Sequence, residues 1–420
     1  MIDSYSSVRE TRHPGMRPAI TATEFANSAT AAQRRAIRCQ DRIHIALYLK
    51  HFPAAGAPLM GGTTVAVDGL AAGLVQSGAD VSVLCEGPAR STVTAAAGYT
   101  VECFLNRKPY RTFFLAPELQ RYARERLVRR SGLCLVNGIF HPAAYAMGRL
   151  LYRLGVPYVA VPHDAYDPAI FRRNAHLKWP YWYLFERRLL LRARAVQLLD
   201  IRYAAFLRRL GVDTPCFEAP NGVTPDAVPA ESELRWGSHG EPVRLIFLGR
   251  IDAYHKGLDL LLAAFARVSG QVDMRLTVQG PDWGDRARLE KQAATAKLAD
   301  RIEFRPPEYG RSARIIGGHD IFCLPSRFEG FGLAALEAML AGRVLLVSEG
   351  AGIARHVRAS RCGLTVPPTV AGIENGLQAL LRLQPAWQEM GLAGRRYALA
   401  HLQWQNIGAA ALDRYAHLLA

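Results

Sequence analysis

The sequence predicts an α/β protein with two doubly wound domains. Strand-like apolar segments alternate with helix-like segments along the first half of the chain, and the same alternation begins again at residue 243. A stretch bearing Pro, Glu and Ser residues, 224–242, separates the two halves. Such alternation is typical of a parallel sheet with helices on both faces. The 420 residues are enough for two domains, each with its own core.

The N-terminal domain is predicted over residues 41–223. Its strand-like segments are short and apolar, as strands buried on both faces should be; they are 42–49, 81–85, 100–105, 133–136, 158–161 and 195–199. After the first of them, Gly61-Gly62 introduces a helix pattern that stops at Gly78. Residues 1–40 contain Ser, Thr, Ala and Arg but no apolar core segment. We therefore expect a disordered tail there and no secretory signal peptide.

The C-terminal domain is predicted over residues 243–400, with the linker at 224–242. Its strand-like segments are 243–248, 274–278, 302–304, 321–324 and 344–347. The last stretch, 401–420, carries an apolar stripe that includes Trp404, Ile407 and Tyr415. That stripe predicts an amphipathic helix at the end of the chain.

Residues 327–341, R-F-E-G-F-G-L-A-A-L-E-A-M-L-A, are the segment most informative about function. They join the apolar strand 321–324 to a predicted helix over 333–340. Glu329 therefore lies in the strand-to-helix turn, and Glu337 lies about one turn into the helix. A carboxylate in such a position accepts two hydrogen bonds, which suits sugar hydroxyls.

The start of this helix is also a predicted anion site. The backbone N–H groups of Phe331, Gly332 and Leu333 have no partner within the helix, and phosphate or sugar oxygens bind well at such a terminus. The glycines in this turn let a ligand approach the backbone closely.

Two basic residues follow the first strand of the second half. The strand 243–248 ends in Gly249-Arg250, and Lys256-Gly257 opens the next helix. In open α/β sheets, ligands bind at the carboxyl ends of the strands. An arginine fork together with a lysine point charge is suited to a diphosphate, so Arg250 and Lys256 are predicted to bind one.

These motifs resemble a known family. G-R-I-D-A-Y-H-K-G at 249–257 and S-R-F-E-G-F-G-L-A-A-L-E-A-M at 326–339 look like the signature of family 4 retaining glycosyltransferases. The resemblance extends over roughly residues 42–420 and is densest in the C-terminal half. It implies the GT-B fold of two facing Rossmann-like domains, with the C-terminal helix crossing back to the N-terminal domain.

The resemblance also implies roles for particular residues. Glu337 would bind the ribose of a nucleotide, and Glu329 the hydroxyls of the donor sugar. His163 follows a strand and resembles the histidine motif of the family's N-terminal domain. The predicted catalytic residues are Arg250, Lys256, Glu329 and His163; the predicted donor-binding residues are Gly61, Gly62, Gly280, Tyr309, Phe331, Gly332, Leu333 and Glu337.

The expected reaction moves a hexosyl group from a nucleoside diphosphate sugar to an acceptor hydroxyl with retention of configuration. The expected acceptor is a carbohydrate or a lipid-linked carbohydrate, in surface polysaccharide, lipopolysaccharide or glycolipid synthesis. We expect no cofactor and no metal, since the chain has no Asp-x-Asp pair. A nucleotide-sugar 2-epimerase of the same architecture and a non-catalytic sugar-nucleotide-binding protein are the alternatives.

The net charge of +16 requires a cause. One contributor is the stretch 171–194, where Arg and Lys residues alternate with Trp, Tyr and Phe. Such a pattern fits an anionic membrane surface, or equally a core-facing helix whose charges stand in water. Nucleic acid is not expected as a partner, because no recognised binding motif accompanies the charge. The seven scattered cysteines indicate a reducing compartment. We therefore expect a cytoplasmic location, with peripheral contact at the inner face of the membrane.

Overall fold

Two parallel β-sheets, each covered by helices, organise the chain. The computed structural model describes residues 42–53, 59, 61–108, 113–224, 230–234, 236 and 242–420. The tail predicted at 1–40 and much of the linker predicted at 224–242 lie outside the described residues. Residues 42–420 belong to one compact unit.

The first sheet has eight strands in the order β3-β4-β2-β1-β5-β6-β7-β8. All neighbours are parallel except β3 and β4, which are antiparallel. The strands are β1 (His44–Tyr48), β2 (Asp80–Gly87), β3 (Ser91–Thr94), β4 (Thr100–Leu105), β5 (Gly132–Asn137), β6 (Tyr158–Val161), β7 (Ala195–Leu198) and β8 (Cys216–Glu218).

The second sheet has six strands, all parallel, in the order β11-β10-β9-β12-β13-β14. The strands are β9 (Val243–Leu248), β10 (Met274–Gln279), β11 (Ile302–Arg305), β12 (Ile321–Leu324), β13 (Val344–Ser348) and β14 (Gly363–Val366). The predicted α/β class with two parallel-sheet domains is therefore confirmed. Strands β3, β8 and β14 were not predicted; all three are edge strands.

Helices lie between the strands, as parallel pairing requires. In chain order they are α1 (Gly62–Gln76), α2 (Pro117–Tyr122), α3 (Pro142–Leu154), α4 (Pro168–Arg172), α5 (Ala175–Tyr181), α6 (Arg187–Arg192), α7 (Tyr203–Arg209), α8 (Leu258–Val268), α9 (Arg286–Thr295), α10 (Ser312–Gly317), α11 (Leu333–Leu340), α12 (Ala354–Ser360), α13 (Val370–Arg382), α14 (Trp387–His401) and α15 (Trp404–Leu419). Two π-helical turns, Ala123–Leu127 and Trp182–Glu186, extend α2 and α5.

The last helix packs on the first domain. Trp404, Ile407 and Tyr415 of α15 belong to the apolar core that covers one face of the first sheet. Glycines allow α15 and α1 to touch through their backbones: a Cβ added at Gly73 would lie 2.1 Å from the carbonyl oxygen of Trp404. The predicted crossing of the C-terminal helix is thus present in the fold.

In the described part of the chain, no helix combines the length and apolar character required to cross a bilayer.

Candidate active site

The two domains meet where the strands of both sheets end. Gly330, in the turn after β12, packs against the backbone of His163 and Asp164, which follow β6. A Cβ added at Gly330 would lie 2.7 Å from the Cα of Asp164 and 2.9 Å from the carbonyl oxygen of His163. Gly62 opens α1 close to Leu333, which opens α11; a Cβ added at Gly62 would lie 3.4 Å from Leu333 Cδ1. Predicted residues of both domains therefore line one cleft.

Side chains also tie the domains together around this cleft. The Tyr203 hydroxyl of α7 donates to the carbonyl oxygen of Glu329 at 2.8 Å. Arg173 Nη1 lies 2.5 Å from Asp252 Oδ2, and Arg355 forms an ion pair with Glu218. Each of these contacts joins a residue of the first sheet's domain to one of the second. Hydrogen bonds and ion pairs therefore join the two domains around the cleft.

Lys256 and Glu329 form a mostly buried ion pair. Lys256 Nζ lies 2.5 Å from Glu329 Oε2, which also accepts a 3.0 Å hydrogen bond from Ser326 Oγ. Burial alone would raise the pKa of Glu329, but the charges of Lys256 and His255 and these hydrogen bonds outweigh it and lower that pKa. Glu329 is thus held as a carboxylate. Lys256, predicted to bind phosphate, is already paired with the residue predicted to bind the sugar.

Asp164 places a second carboxyl group beside Glu329. Burial, followed by the nearby charge of Glu329, raises the pKa of Asp164 to about 6. Two neighbouring carboxyl groups with opposite pKa shifts are characteristic of reaction centres. Asp164 is absent from the predicted set, although its position directly after His163 was a signal that could have found it.

His163 is held as a neutral hydrogen-bond acceptor. Its φ of +60° is left-handed, a strained backbone conformation that recurs at functional sites. The Asn137 amide nitrogen donates to the carbonyl oxygen of Tyr48 at 3.0 Å, so the amide oxygen faces His163 Nε2 at 2.6 Å and must accept from it. The proton therefore lies on Nε2, and burial lowers the pKa of His163 to about 4. Nδ1 is buried and has no partner among the residues described. It can accept a hydrogen bond from a sugar hydroxyl.

Arg250 lies beside a tryptophan that the sequence did not single out. Its guanidinium carbon lies 4.4 Å from the centre of the Trp283 ring, and the Trp283 side chain is largely exposed. No acid or carbonyl group within the described ranges pairs with this guanidinium. Gly280, after β10, allows close approach here, since a Cβ added to it would lie 1.9 Å from the carbonyl oxygen of Gly249. Arg250 is thus positioned and still available to a ligand.

The amides at the start of α11 are available as well. Gly332 is the N-cap residue with φ +102°, and no side chain caps the helix. In the described part of the chain, no backbone acceptor is found for the N–H groups of Gly332 and Leu333. Phe331 is buried, and its carbonyl oxygen accepts from Ile353 N at 2.9 Å, which fixes the turn. On the other side of the cleft, Gly61 is the N-cap of α1 with φ +92°.

Glu337 lies within α11, about one turn after the start of that helix. Burial raises the pKa of Glu337 to about 7, and a hydrogen bond with Ser312 opposes that rise. Ser312 opens α10, and Tyr309, which is half exposed, lies in the loop just before it. The structure therefore groups Glu337 with the loop of Tyr309, apart from the Lys256–Glu329 pair.

Comparison with known proteins matches both halves of the chain. The model of "Glycosyltransferase Family 4" matches residues 60–227, and that of "Glycosyl transferases group 1" matches residues 231–397. The chain belongs to glycosyltransferase family 4. Within this family 4 chain, Lys256, Glu329 and Glu337 fall in the second match, while Gly62 and His163 fall in the first.

Relatives with curated descriptions match this glycosyltransferase over part of its length. A D-inositol 3-phosphate glycosyltransferase of Nocardia farcinica is 30% identical over 234 residues, which are 54% of this chain and 51% of the relative. A phosphatidyl-myo-inositol mannosyltransferase of Mycobacterium leprae is 30% identical over 215 residues, 50% of this chain and 55% of the relative. The chain thus spans about half the length of the curated relatives it matches.

Solved structures share its fold. Sucrose-phosphate synthase from Thermosynechococcus elongatus superposes with a TM-score of 0.72 at 20% identity, covering 90% of this chain and 99% of that one. Anabaena HepE in complex with UDP and glucose superposes with a TM-score of 0.69 at 15% identity, covering 90% and 100%. At these identities the likeness shows the two-domain GT-B fold.

Proposed function

We propose that this family 4 glycosyltransferase moves a hexosyl group from a nucleoside diphosphate sugar to an acceptor hydroxyl, with retention of anomeric configuration and without a cofactor. The observation that carries the proposal is the Lys256–Glu329 ion pair beside Asp164, on whose pKa the charge of Arg250 also acts. The uncapped start of α11 follows Gly330, which packs against the backbone of His163. Cations and amides suit a diphosphate, whereas the carboxylate and the imidazole acceptor suit sugar hydroxyls. The complex of Anabaena HepE with UDP and glucose also supports a donor of this class.

The donor diphosphate is the part that the cations would bind. As the bond between the sugar and the phosphate breaks, negative charge grows on the phosphate oxygens. Arg250, Lys256 and the α11 amides stabilise that charge in a site largely closed to water. Lys256 then shares its hydrogen bonds between phosphate and Glu329. We propose that the two cations and the amides stabilise this charge without a metal ion.

The sugar would lie between Glu329 and His163. Glu329 accepts hydrogen bonds from its hydroxyls, and the unpartnered Nδ1 of His163 accepts another. Retention would follow from attack on the same face: the acceptor oxygen bonds to the anomeric carbon while the phosphate leaves. The acceptor proton then passes to an oxygen of the departing phosphate. Domain closure through Gly330 excludes water, which would otherwise hydrolyse the donor.

Release of nucleoside diphosphate tests this function. Release that requires an added acceptor indicates transfer, whereas conversion of the donor sugar alone indicates a 2-epimerase. Binding of the donor without any turnover indicates a non-catalytic protein. We expect Glu329→Ala and Arg250→Ala to abolish acceptor-dependent release while circular dichroism shows a folded chain. Full release by either variant would contradict the assignment.

The pH dependence of donor binding should report on Glu337. Its pKa of about 7 means that the carboxylate is mostly ionised at pH 8 and mostly protonated at pH 6. Ribose hydroxyls donate to the ionised form, so the affinity for UDP should fall about tenfold from pH 8 to pH 6. Calorimetry across this range measures it. Glu337→Gln should bind UDP more weakly at pH 8 and lose this part of the pH dependence. A pH profile unchanged by the substitution would remove Glu337 from the ribose site.

We also propose that the acceptor is presented at an anionic membrane surface. In the stretch 171–194, Phe171 and Trp182 are buried, but Leu177, Tyr183 and Leu184 are 62%, 62% and 50% exposed. Exposed arginines flank these apolar side chains; they are Arg172, Arg188, Arg192 and Arg194. Exposed apolar groups among cations favour contact with anionic lipid over simple solvation.

Vesicle sedimentation measures this contact. We expect the protein to sediment with phosphatidylglycerol vesicles and to dissociate from them at high salt. It should not sediment with phosphatidylcholine vesicles. Replacing Leu177 and Leu184 by Glu should weaken vesicle binding by at least about tenfold. Two apolar side chains that would insert into the lipid interface are then replaced by charged ones. Val272→Glu, an exposed apolar position of the second domain, is the matched control. Binding that is equal for all three proteins would contradict the proposal.

A further inference from the structure

A cluster of basic side chains lies at the carboxyl end of the first sheet, outside the donor site. Lys50 follows β1 and is only 4% exposed. His51 comes next and is exposed at the rim, and His141 follows the neighbouring strand β5. Because β1 and β5 are adjacent and parallel, these side chains leave the same edge of the sheet.

Lys50 is buried without an acidic partner. In the described part of the chain, its ammonium group takes part in no ion pair and no hydrogen bond. The nearest acid along the neighbouring strand, Glu86, is already occupied. Its oxygens accept from the Tyr48 hydroxyl at 2.7 Å, from Asn106 Nδ2 at 2.6 Å and from Ala116 N at 3.1 Å. A lysine kept buried and unpaired costs stability, so its retention points to a ligand that supplies the missing negative charge.

The backbone fixes this lysine in place. Beyond Tyr48, the chain continues to pair with β2: Leu49 N donates to Leu84 O at 3.0 Å, and Glu86 N donates to Lys50 O at 2.8 Å. The backbone of Lys50 is therefore held by the sheet rather than by a loop.

His141 brings the start of α3 to the same place. It is the N-cap residue of this 13-residue helix, and its imidazole makes no capping hydrogen bond. Burial, then the charge of Lys50, then His51, lowers the pKa of His141, and burial followed by the charge of Lys50 lowers that of His51. Lys50 thus lies close to both imidazoles and to the helix start, where oxyanions are favoured.

The cluster lies next to the sugar-binding side of the cleft. Asn137, at the end of β5, donates to the carbonyl oxygen of Tyr48, two residues before Lys50, and accepts from His163 Nε2. Asn137 therefore connects the chain segment that carries Lys50 to the histidine proposed to face the donor sugar.

We propose that Lys50, His51 and His141 bind a phosphate group carried by the acceptor. The inference rests on the proposed function and narrows it: the acceptor is a phosphate ester, presented either as a soluble sugar phosphate or as the headgroup of a phospholipid. Binding the phosphate here would hold the acceptor hydroxyl towards the anomeric carbon of the donor.

Equilibrium dialysis with labelled inorganic phosphate tests the site directly, with UDP at saturation to fill the donor site. We expect one phosphate per wild-type chain, an affinity at least tenfold lower for Lys50→Met, and partial retention for Lys50→Arg. His141→Gln supplies a second, independent loss. Lys291→Met, an exposed lysine of α9, should bind as the wild type does. Removal of a buried unpaired charge should also raise the Tm of Lys50→Met, which shows that its loss of binding does not come from unfolding.

Phosphate binding that is equal in Lys50→Met and the wild type, or that disappears once UDP is saturating, overturns the inference. Failure of the proposed function would look different. Then UDP would not bind at all, while phosphate would still bind at Lys50 in wild type and in Arg250→Ala.

Two arms distinguish the sources of the phosphate. In the first, the rate of UDP release from UDP-glucose with inositol as the acceptor is compared with the rate with inositol phosphate. In the second, UDP release with phosphatidylinositol vesicles is compared with release with monoglucosyldiacylglycerol vesicles, whose headgroup has hydroxyls but no phosphate. Faster UDP release with the phosphate ester in either arm, reduced at least tenfold in Lys50→Met, supports the site. The arm in which it occurs identifies the acceptor as a soluble phosphate or a phospholipid. Equal stimulation by neutral and phosphorylated acceptors, unaffected by Lys50→Met, contradicts it.

Discussion

Replacing Lys256 by Met is expected to lower the rate of sugar transfer by about 10²–10³-fold, the cost typical of removing one group that stabilises a developing oxyanion. Lys256 is proposed to bind the phosphate, and its ammonium lies 2.5 Å from Glu329, the residue proposed to bind the sugar. Its loss leaves phosphate charge without a partner in the transition state. Single-turnover measurement of nucleoside diphosphate release, at saturating donor, isolates this effect from donor binding.

The same substitution should also destabilise the fold, which requires a control. Lys256 and Glu329 are 11% and 14% exposed, so Lys256→Met leaves a mostly buried carboxylate without its cation. The double variant Lys256→Met with Glu329→Gln removes both charges and should recover the lost Tm. We expect it to remain inactive. Activity that returns with stability would show that Lys256 serves the fold and not the reaction.

Replacing Gly330 by Ala is expected to lower kcat/KM for transfer by about a hundredfold. The added methyl group would lie 2.7 Å from the Cα of Asp164 and 2.9 Å from the carbonyl oxygen of His163. Both are backbone atoms that cannot rotate away, so the domains must move apart at this contact. Displacements of about 1 Å between reacting groups cost rates of this order.

The affinity for UDP should change little in Gly330→Ala, because the proposed diphosphate ligands all belong to the second domain. The matched control is Gly350→Ala, whose added methyl group would meet only the carbonyl oxygen of Arg327, at 3.9 Å. We expect that variant to transfer at the wild-type rate. If Gly330→Ala also does so, close approach of His163 to Glu329 is not required for the reaction.

The central strands were predictable because they are buried on both faces. β6 and β12 read Y-V-A-V and I-F-C-L, and their bounds agree with the predicted segments. The strands that were missed lie at sheet edges. β3 reads S-T-V-T and is exposed throughout, and β8 and β14 are short and half-buried, so none carries an apolar run. Edge strands are defined by pairing with a neighbour, which periodicity does not report.

The sequence predicted which residue types form the site, but not which of them contact each other. The sequence placed Arg250, Lys256 and Glu329 at strand ends, where a ligand site was expected. It did not predict the Lys256–Glu329 pair. The two residues are 73 positions apart in the chain, and only the pairing of their strands in the sheet brings them together. The stacking of Arg250 on Trp283 and the approach of Gly330 to Asp164 depend likewise on loop and domain positions. Asn137 was missed although it ends an apolar strand with a polar residue, which was a usable signal.

Calorimetry on wild type and Arg250→Ala measures how much Arg250 contributes to binding of the donor nucleotide. UDP, GDP, ADP and dTDP, and their sugars, would be titrated into wild type, Arg250→Ala and the control Arg275→Ala, an exposed arginine of β10. We expect wild type and the control to bind one class of nucleotide, at one site per chain. Arg250→Ala should bind that nucleotide at least tenfold more weakly. Heat that is absent with every nucleotide, or equal for all three proteins, would contradict a diphosphate site at the start of α11.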